Sequence, residues 1–308
     1  MPNSIKENAF YECKNLTSVT IPSSTDTIES GAFSRCLTLY QIKIPKSLHY
    51  IGYGAFESCG ITSITLPDSI KSINESTFWG CQGLKSITIP EAVLHIGSHA
   101  FYRCISLKSV LFQNSRDTII GSDAFAHCSL QSFTIPNKVK HIGNAAFYNC
   151  CNLSSVTIPA SVSTIEDLAF YSCTNLKTIY AYPEVPVALP SEKVFNRVDK
   201  DSCRLLVPNE SLDLYKSATV WKDFIRVESI VTSIKNIENP DELIIYPNPA
   251  TDILNIKAKE GQALIYDSKG QLKISRALKE DNSINISSLT PGFYVVNVNG
   301  ASYKVLKK

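Results

Sequence analysis

His141-Ile142-Gly143-Asn144-Ala145-Ala146-Phe147-Tyr148-Asn149-Cys150, followed shortly by Leu153-Ser154-Ser155-Val156-Thr157-Ile158-Pro159, is the stretch on which the fold turns. Its Phe-x-x-Cys pair recurs. The phenylalanines are Phe10, Phe33, Phe56, Phe78, Phe101, Phe125, Phe147 and Phe170, and the cysteines are Cys13, Cys36, Cys59, Cys81, Cys104, Cys128, Cys150 and Cys173. Successive spacings are 23, 23, 22, 23, 24, 22 and 23 residues, a regularity that marks a chain built from stacked units.

In the second part of the unit, Val156 and Ile158 alternate with Thr157 and end at Pro159, which cannot donate to a ladder. That pattern is a short strand with one buried face. The same strand is expected at Val19-Thr20-Ile21, Ile42-Lys43-Ile44, Ile64-Thr65-Leu66, Ile87-Thr88-Ile89, Val110-Leu111-Phe112, Phe133-Thr134-Ile135 and Ile179-Tyr180-Ala181. One unit cannot bury its apolar side alone. Eight of them stacked about 4.8 Å apart close a continuous core beside a parallel β ladder on the order of 40 Å long. The expected fold class is therefore a repeat solenoid. Its L-x-x-L-x-L skeleton makes it a leucine-rich repeat over residues 1–181, with Gly-x-x-Ala-Phe-x-x-Cys as a tight turn or short helix opposite the strands.

Ile5 aligns with Ile142, so the first unit starts in mid-repeat, and the opening Met1-Pro2-Asn3-Ser4-Ile5-Lys6 lacks the layout of a signal peptide. The expectation is a truncated first unit, with further units and the signal upstream. Residues 182–227 read as a C-terminal cap in which Trp221 and Phe224 cover the last unit, and 228–242 as a polar linker. Residues 243–308 read as a small antiparallel β-sandwich, with strands at Leu254-Asn255-Ile256, Ala263-Leu264-Ile265-Tyr266, Ile284-Asn285-Ile286 and Phe293–Val298. The turns between them are expected at 267–270 and 290–292.

The pattern I-P-x-S-x-x-x-I-G-x-x-A-F-x-x-C-x-x-L-x-S-V over residues 1–181 resembles the BspA-like leucine-rich-repeat family of bacterial surface proteins. The unit at Phe112-Gln113 departs from it where Ile-Pro is expected, as does Thr77 where a small Ala precedes the Phe. Tyr246-Pro247-Asn248-Pro249-Ala250-Thr251-Asp252, Tyr266-Asp267-x-x-Gly270, Leu289-x-x-Gly292-x-Tyr294 and Tyr303–Lys308 resemble the C-terminal sorting domain of the type IX secretion system. The resemblances imply export to the bacterial cell surface or beyond, in association with the outer membrane. They imply the export machinery as a partner of residues 243–308, and host-matrix or cell-surface proteins as ligands.

Composition narrows the chemistry. Thirty basic and 28 acidic residues leave a net charge of +2 without a basic block before Lys307-Lys308, so no footprint for nucleic acid exists. No apolar run reaches the length of a membrane span. Equivalent cysteines in stacked units form a file, not the two clustered pairs of a tetrahedral zinc site, and read as small buried hydrophobes; neighbouring disulfides are the alternative, and Cys151 and Cys203 fall outside the file. Of His49, His95, His99, His127 and His141, only His95 and His141 share a repeat position, two units or about 10 Å apart, too far for one metal ion. No Gly-x-Ser-x-Gly elbow occurs, and no lone Cys with a dedicated His. The reading is a binding protein, with no enzyme activity and no cofactor.

Two faces are candidate sites. The strand face turned away from the core carries Ser63, Thr65, Ser86, Thr88, Ser109, Leu111, Ser132, Thr134, Ser155 and Thr157. Solenoids bind proteins on such faces, although hydroxyl and β-branched residues also simply favour strands. The residue after each repeat Phe supplies Tyr11, Trp79, Tyr102, Tyr148 and Tyr171, a stripe able to contact protein or glycan or to pack over neighbouring turns. Thr27, Ser69 and Thr118 sit in Asp-Ser/Thr-apolar segments resembling O-glycosylation acceptors. The leading expectation is an adhesin-like protein; the alternatives are a structural spacer of the surface and a glycan-binding accessory using the stripe.

Overall fold

The computed structural model describes residues 3–113, 119–230, 244–246, 250–257, 261–267, 272–278, 282–298 and 301–307. The chain forms two compact units, Met1–Ile230 and Val231–Lys308.

The first unit is a parallel solenoid with two strand files. One comprises Ser18–Thr20, Gln41–Lys43, Ser86–Ile89, Ser109–Phe112, Ser132–Thr134, Ser155–Ile158 and Thr178–Ala181, and Arg204–Val207 and Arg226–Ser229 extend it in parallel. The other consists of two-residue strands such as Thr27–Ile28, Tyr50–Ile51, His95–Ile96, His141–Ile142 and Thr164–Ile165, also parallel. The isoleucine of this second ladder recurs in every unit, as in Ile28, Ile51, Ile96 and Ile142, but two residues are too few to show the alternation of a strand.

The expected strand Ile64-Thr65-Leu66 is absent, which corrects the sequence reading. Between Cys59 and Ile61 this unit has only Gly60, where Cys36-Leu37-Thr38-Leu39 has two residues. The shortened loop leaves long bonds on both sides, Thr62 N to Tyr40 O at 3.4 Å and Lys85 N to Thr62 O at 3.4 Å. The other short unit, Cys128-Ser129-Leu130, coincides with the second break, between Ser109–Phe112 and Ser132–Thr134.

Gly-x-x-Ala-Phe-x-x-Cys forms turns, with no helix, and its backbone explains why. Residues two before and two after each Phe adopt positive φ, among them Asn8, Ser76, His99, Arg103, His127, Ala145, Asn149, Leu168 and Ser172. Donors then alternate: Phe101 N reaches Ala124 O in the next turn at 2.8 Å and Arg103 N reaches Ala126 O at 2.9 Å, while Tyr102 N and Cys104 N close local turns. The N–H groups from His99 to Cys104 are thereby matched, either across turns or within one. Leu168, at φ 59°, occupies this left-handed position with a γ-branched side chain. Leu168→Asn is expected to raise the unfolding free energy by about 0.5–1 kcal/mol, because asparagine tolerates that region. A thermal melt checks it, and a lower midpoint contradicts the strain argument.

The core is columnar. Nine rings, from Phe10 through Phe170 to Phe195, stack with centroids 5.1–5.7 Å apart and planes within 11°. Phe195 ends the column against Trp221 and Phe224, each at 5.3 Å. The Trp221 indole N–H donates to Val187 O at 2.7 Å and the Tyr215 hydroxyl to Pro183 O at 2.9 Å, so the aromatic end cluster is buried without orphaned polar atoms. Cys36 to Cys173 of the file are buried, and all ten cysteines are free. Their thiols are more than hydrophobes. Each of the seven from Cys36 to Cys173 donates to the Phe carbonyl one unit earlier, Cys104 to Phe78 and Cys128 to Phe101 at 3.1 Å, Cys173 to Phe147 at 3.2 Å.

The second unit pairs a three-stranded antiparallel sheet (Ile244–Tyr246, Ile253–Lys257, Ser283–Asn285) with a four-stranded one (Leu272–Leu278, Gly261–Asp267, Gly292–Val298, Ala301–Lys307). Leu254, Ile256, Ala263, Ile265, Ile284, Val296 and Val298 form the shared core of a small sandwich. The turn residues fall at 287–288, before the expected 290–292, where the chain only bends at Pro291 and Gly292 begins a strand; Tyr294 Oη donates back to Thr290 O at 2.8 Å. Most of the other expected turn, 268–270, lies outside the described residues.

Candidate functional site

The outward strand face follows from alternation: Val156 and Ile158 are fully buried while Ser155 and Thr157 between them stay half exposed. Parallel register then stacks like on like. Ser132, Ser155 and Thr178 form one file, continued by Arg204, and Thr134, Thr157 and Tyr180 form the next. In the neighbouring block Ser86 pairs with Ser109 and Thr88 with Leu111, whose side chain is 65% exposed. Ser63 and Thr65 are exposed but belong to the unit that lacks a strand, so the face is divided rather than continuous. At its C-terminal end Arg204 Nη2 meets Glu228 Oε2 at 2.7 Å, and that guanidinium holds the Glu228 carboxyl below its ordinary range.

The aromatic stripe is continuous only in part. Trp79 and Tyr102 lie 6.1 Å apart and Tyr148 and Tyr171 5.1 Å apart with parallel planes. Ala126 interrupts the file between them, and His127 fills the gap at 5.3 Å from Tyr102 and 5.5 Å from Tyr148. Sequence reading missed His127 because it belongs to the neighbouring file, two residues after its Phe. Arg103 stands over Tyr102 at 5.6 Å and Arg197 over Tyr171 at 5.9 Å. Tyr11 is separated from the rest and lies under Arg35 at 5.8 Å.

His99 also joins this belt, with Nε2 3.7 Å from Asp123 Oδ2. Burial raises the Asp123 carboxyl against the pull of both histidines, while burial and Arg103 lower His127. Tyr148 and Tyr171 stack face to face, and the other neighbours meet edge-on or tilted, with guanidinium groups over Tyr102 and Tyr171. The belt therefore offers ring edges and guanidinium groups more than the open faces on which a sugar ring stacks.

Of the glycosylation candidates, Thr27 is half buried within the short strand Thr27–Ile28, paired with Ser4 and Tyr50. Ser69 donates its hydroxyl to Leu48 O at 2.5 Å, as Ser47 does to Thr25 O at 2.6 Å and Ser161 to Val139 O at 2.7 Å. This serine position thus ties successive turns together. Thr118 lies outside the described residues. Among the described residues, no group of three or more His, Cys, Asp or Glu side chains is placed to hold a metal ion, and no helix is long and apolar enough to cross a membrane.

A family model described as the BspA type leucine rich repeat region matches residues 3–119 and 115–197 in six copies. A second, described as the secretion system C-terminal sorting domain, matches residues 244–308. Among solved structures, a leucine rich cell surface protein from Faecalibacterium prausnitzii A2-165 is 27% identical with a TM-score of 0.50, the match covering 67% of this chain and 60% of that one. A leucine-rich repeat protein from Eubacterium ventriosum is 19% identical with a TM-score of 0.44, covering 69% of this chain and 68% of that one. Beta-agarase D of Zobellia galactanivorans is 33% identical over 69 residues, which are 22% of this chain and 14% of the agarase. The chain thus spans a small part of the agarase and less than two thirds of the Faecalibacterium protein.

Proposed function

This chain belongs to the BspA-type leucine-rich-repeat family and ends in a type IX sorting domain, and from that premise we propose an adhesin-like role at the bacterial surface, with the outward strand face capturing a protein ligand. The sorting domain hands the chain to the export machinery, and the solenoid acts after delivery, in association with the outer membrane. The role is binding, not catalysis.

One observation carries the reading. The outward positions Ser86, Thr88, Ser109, Leu111, Ser132, Thr134, Ser155, Thr157, Thr178 and Tyr180 carry no charge, and Leu111 projects into solvent among them. Covering such a face removes little charge from water, and interface centres are depleted in charge for that reason. The test is surface plasmon resonance against immobilised host matrix proteins. Thr157→Glu and Leu111→Glu, both at outward positions, are expected to weaken binding about tenfold or more while leaving the melting temperature within about 2 °C. If no matrix protein binds, or both variants bind as the parent does, the face is not the site and the spacer reading takes its place.

A further inference from the structure

A polar groove of about 570 Å³ opens beside the outward face, lined by Lys108, Ser129, Gln131, Asn152, Ser154 and Asn175. Its origin is a missing residue. Cys128-Ser129-Leu130 has one residue where the next units have Cys151-Asn152 and Thr174-Asn175, so the loop at Ser129 is recessed between its neighbours. The other short unit, at Gly60, carries the same deletion, but there the ring of Tyr40 fills the space, so that a carbon added to Gly60 would stand 3.1 Å from two of its ring atoms. Cross-turn bonds show that Lys108 is the equivalent of Tyr40: Thr62 N reaches Tyr40 O, and Gln131 N reaches Lys108 O. One notch is plugged by an aromatic ring, and the other is left open with an ammonium group at its wall.

We propose that this open notch is a binding site for an acidic oligosaccharide, a ligand carrying both hydroxyls and a carboxylate or sulfate. The lining holds one ammonium, three carboxamides, two hydroxyls and no carboxylate. Carboxamides donate and accept at once, matching sugar hydroxyls that do the same. The Ser129 hydroxyl donates to Ile105 O at 2.6 Å and the Ser154 hydroxyl to Gln131 O at 2.8 Å, so both oxygens remain as acceptors toward the groove. Acceptors call for a ligand with donors of its own, which sulfate lacks. Lys108 supplies the attraction for the anionic group. The site is separate from the outward face and stands or falls independently of it.

Isothermal titration calorimetry on the full chain tests this with tetragalacturonate, a heparin-derived tetrasaccharide, neutral cellotetraose, inorganic sulfate and a polyglutamate peptide. At least one acidic oligosaccharide is expected to bind about tenfold tighter than cellotetraose, sulfate and polyglutamate, and less tightly as salt rises. Preference for galacturonate identifies a carboxylated ligand, and preference for the heparin fragment a sulfated one; either supports the site. Lys108→Tyr, which copies the natural plug at Tyr40, is expected to cut that affinity about tenfold or more, and Asn152→Asp to cut it through charge, with unchanged melting curves. The proposal is overturned if neither acidic sugar outcompetes the three controls, or if both variants bind like the parent.

Discussion

Between pH 9 and 11 the solenoid is expected to lose stability steeply, in proportion to the number of thiols in its core. Burial pushes Cys81 and Cys150 up to about 12 and raises Cys104, Cys128 and Cys173 well above the ordinary thiol value. In the unfolded chain a thiol ionises near pH ~8.5. The folded state therefore holds more protons than the unfolded state between these limits. Its stability is complete below about pH 8.5 and declines as pH climbs toward the folded values. Each such thiol contributes up to about 1.4 kcal/mol per pH unit in that window, so the slope grows with the number of thiols that burial keeps neutral.

Lysines and tyrosines also titrate there, and a variant separates their effect. The triple substitution Cys104→Ala, Cys128→Ala and Cys150→Ala is expected to lower stability at pH 7 but to flatten the alkaline slope, because it removes three of the seven thiols held above their ordinary value. Urea unfolding at pH 8, 9 and 10 measures both. Equal slopes in parent and triple variant would falsify the buried-thiol account. The same burial predicts that Cys151, which is exposed, reacts with a thiol reagent in the folded protein well before the interior file does.

Phe147→Ala is the second large effect. The ring stacks on Phe125 at 5.5 Å and Phe170 at 5.2 Å and meets Phe133 edge-on at 4.7 Å, with no solvent exposure. Its removal leaves a cavity in a column that cannot collapse, because the cross-turn backbone bonds fix the turn spacing; the expected cost is about 3–5 kcal/mol. Phe10→Ala is the control. That ring stacks on Phe33 alone and is 39% exposed, so its loss is expected to cost about 1–2 kcal/mol. Hydrogen exchange should show the Phe147 damage centred on units 125–170, with the Trp221 and Phe224 cluster still protected. Equal costs at the two positions count against a nearest-neighbour column.

The architecture was legible because Phe-x-x-Cys marks a core position in every unit, and Val156-Thr157-Ile158 separates inside from outside by simple alternation. The ninth ring escaped notice because Phe195 comes 25 residues after Phe170 and Val198 stands where a cysteine is expected. Left-handed turn positions filled by His99, Asp123 and Leu168 carry no glycine to announce them. In the second unit, Leu272–Leu278 is an edge strand exposed along most of its length, so it lacks the buried alternation that exposed its neighbours.

The sites were less legible than the fold. Outward positions can be listed from the period, and Ser155 and Thr157 stand where alternation puts them. The His127 bridge between Tyr102 and Tyr148 arises from two different repeat positions, which a comparison of equivalent residues cannot join. The groove at Ser129 depends on a residue that is missing and on whether Tyr40 or Lys108 faces the gap, so no motif encodes it.

The thiol bonds from Cys104 to Phe78 and Cys128 to Phe101, like the serine bonds from Ser47 to Thr25 and Ser161 to Val139, each span one unit and no more. Among the described residues of the repeats, these bonds join adjacent turns. A 23-codon block duplicated or lost in frame would thus yield a protein of the same construction, about 4.8 Å longer or shorter. Recombination within such a gene can vary the length of the solenoid without redesigning a single contact.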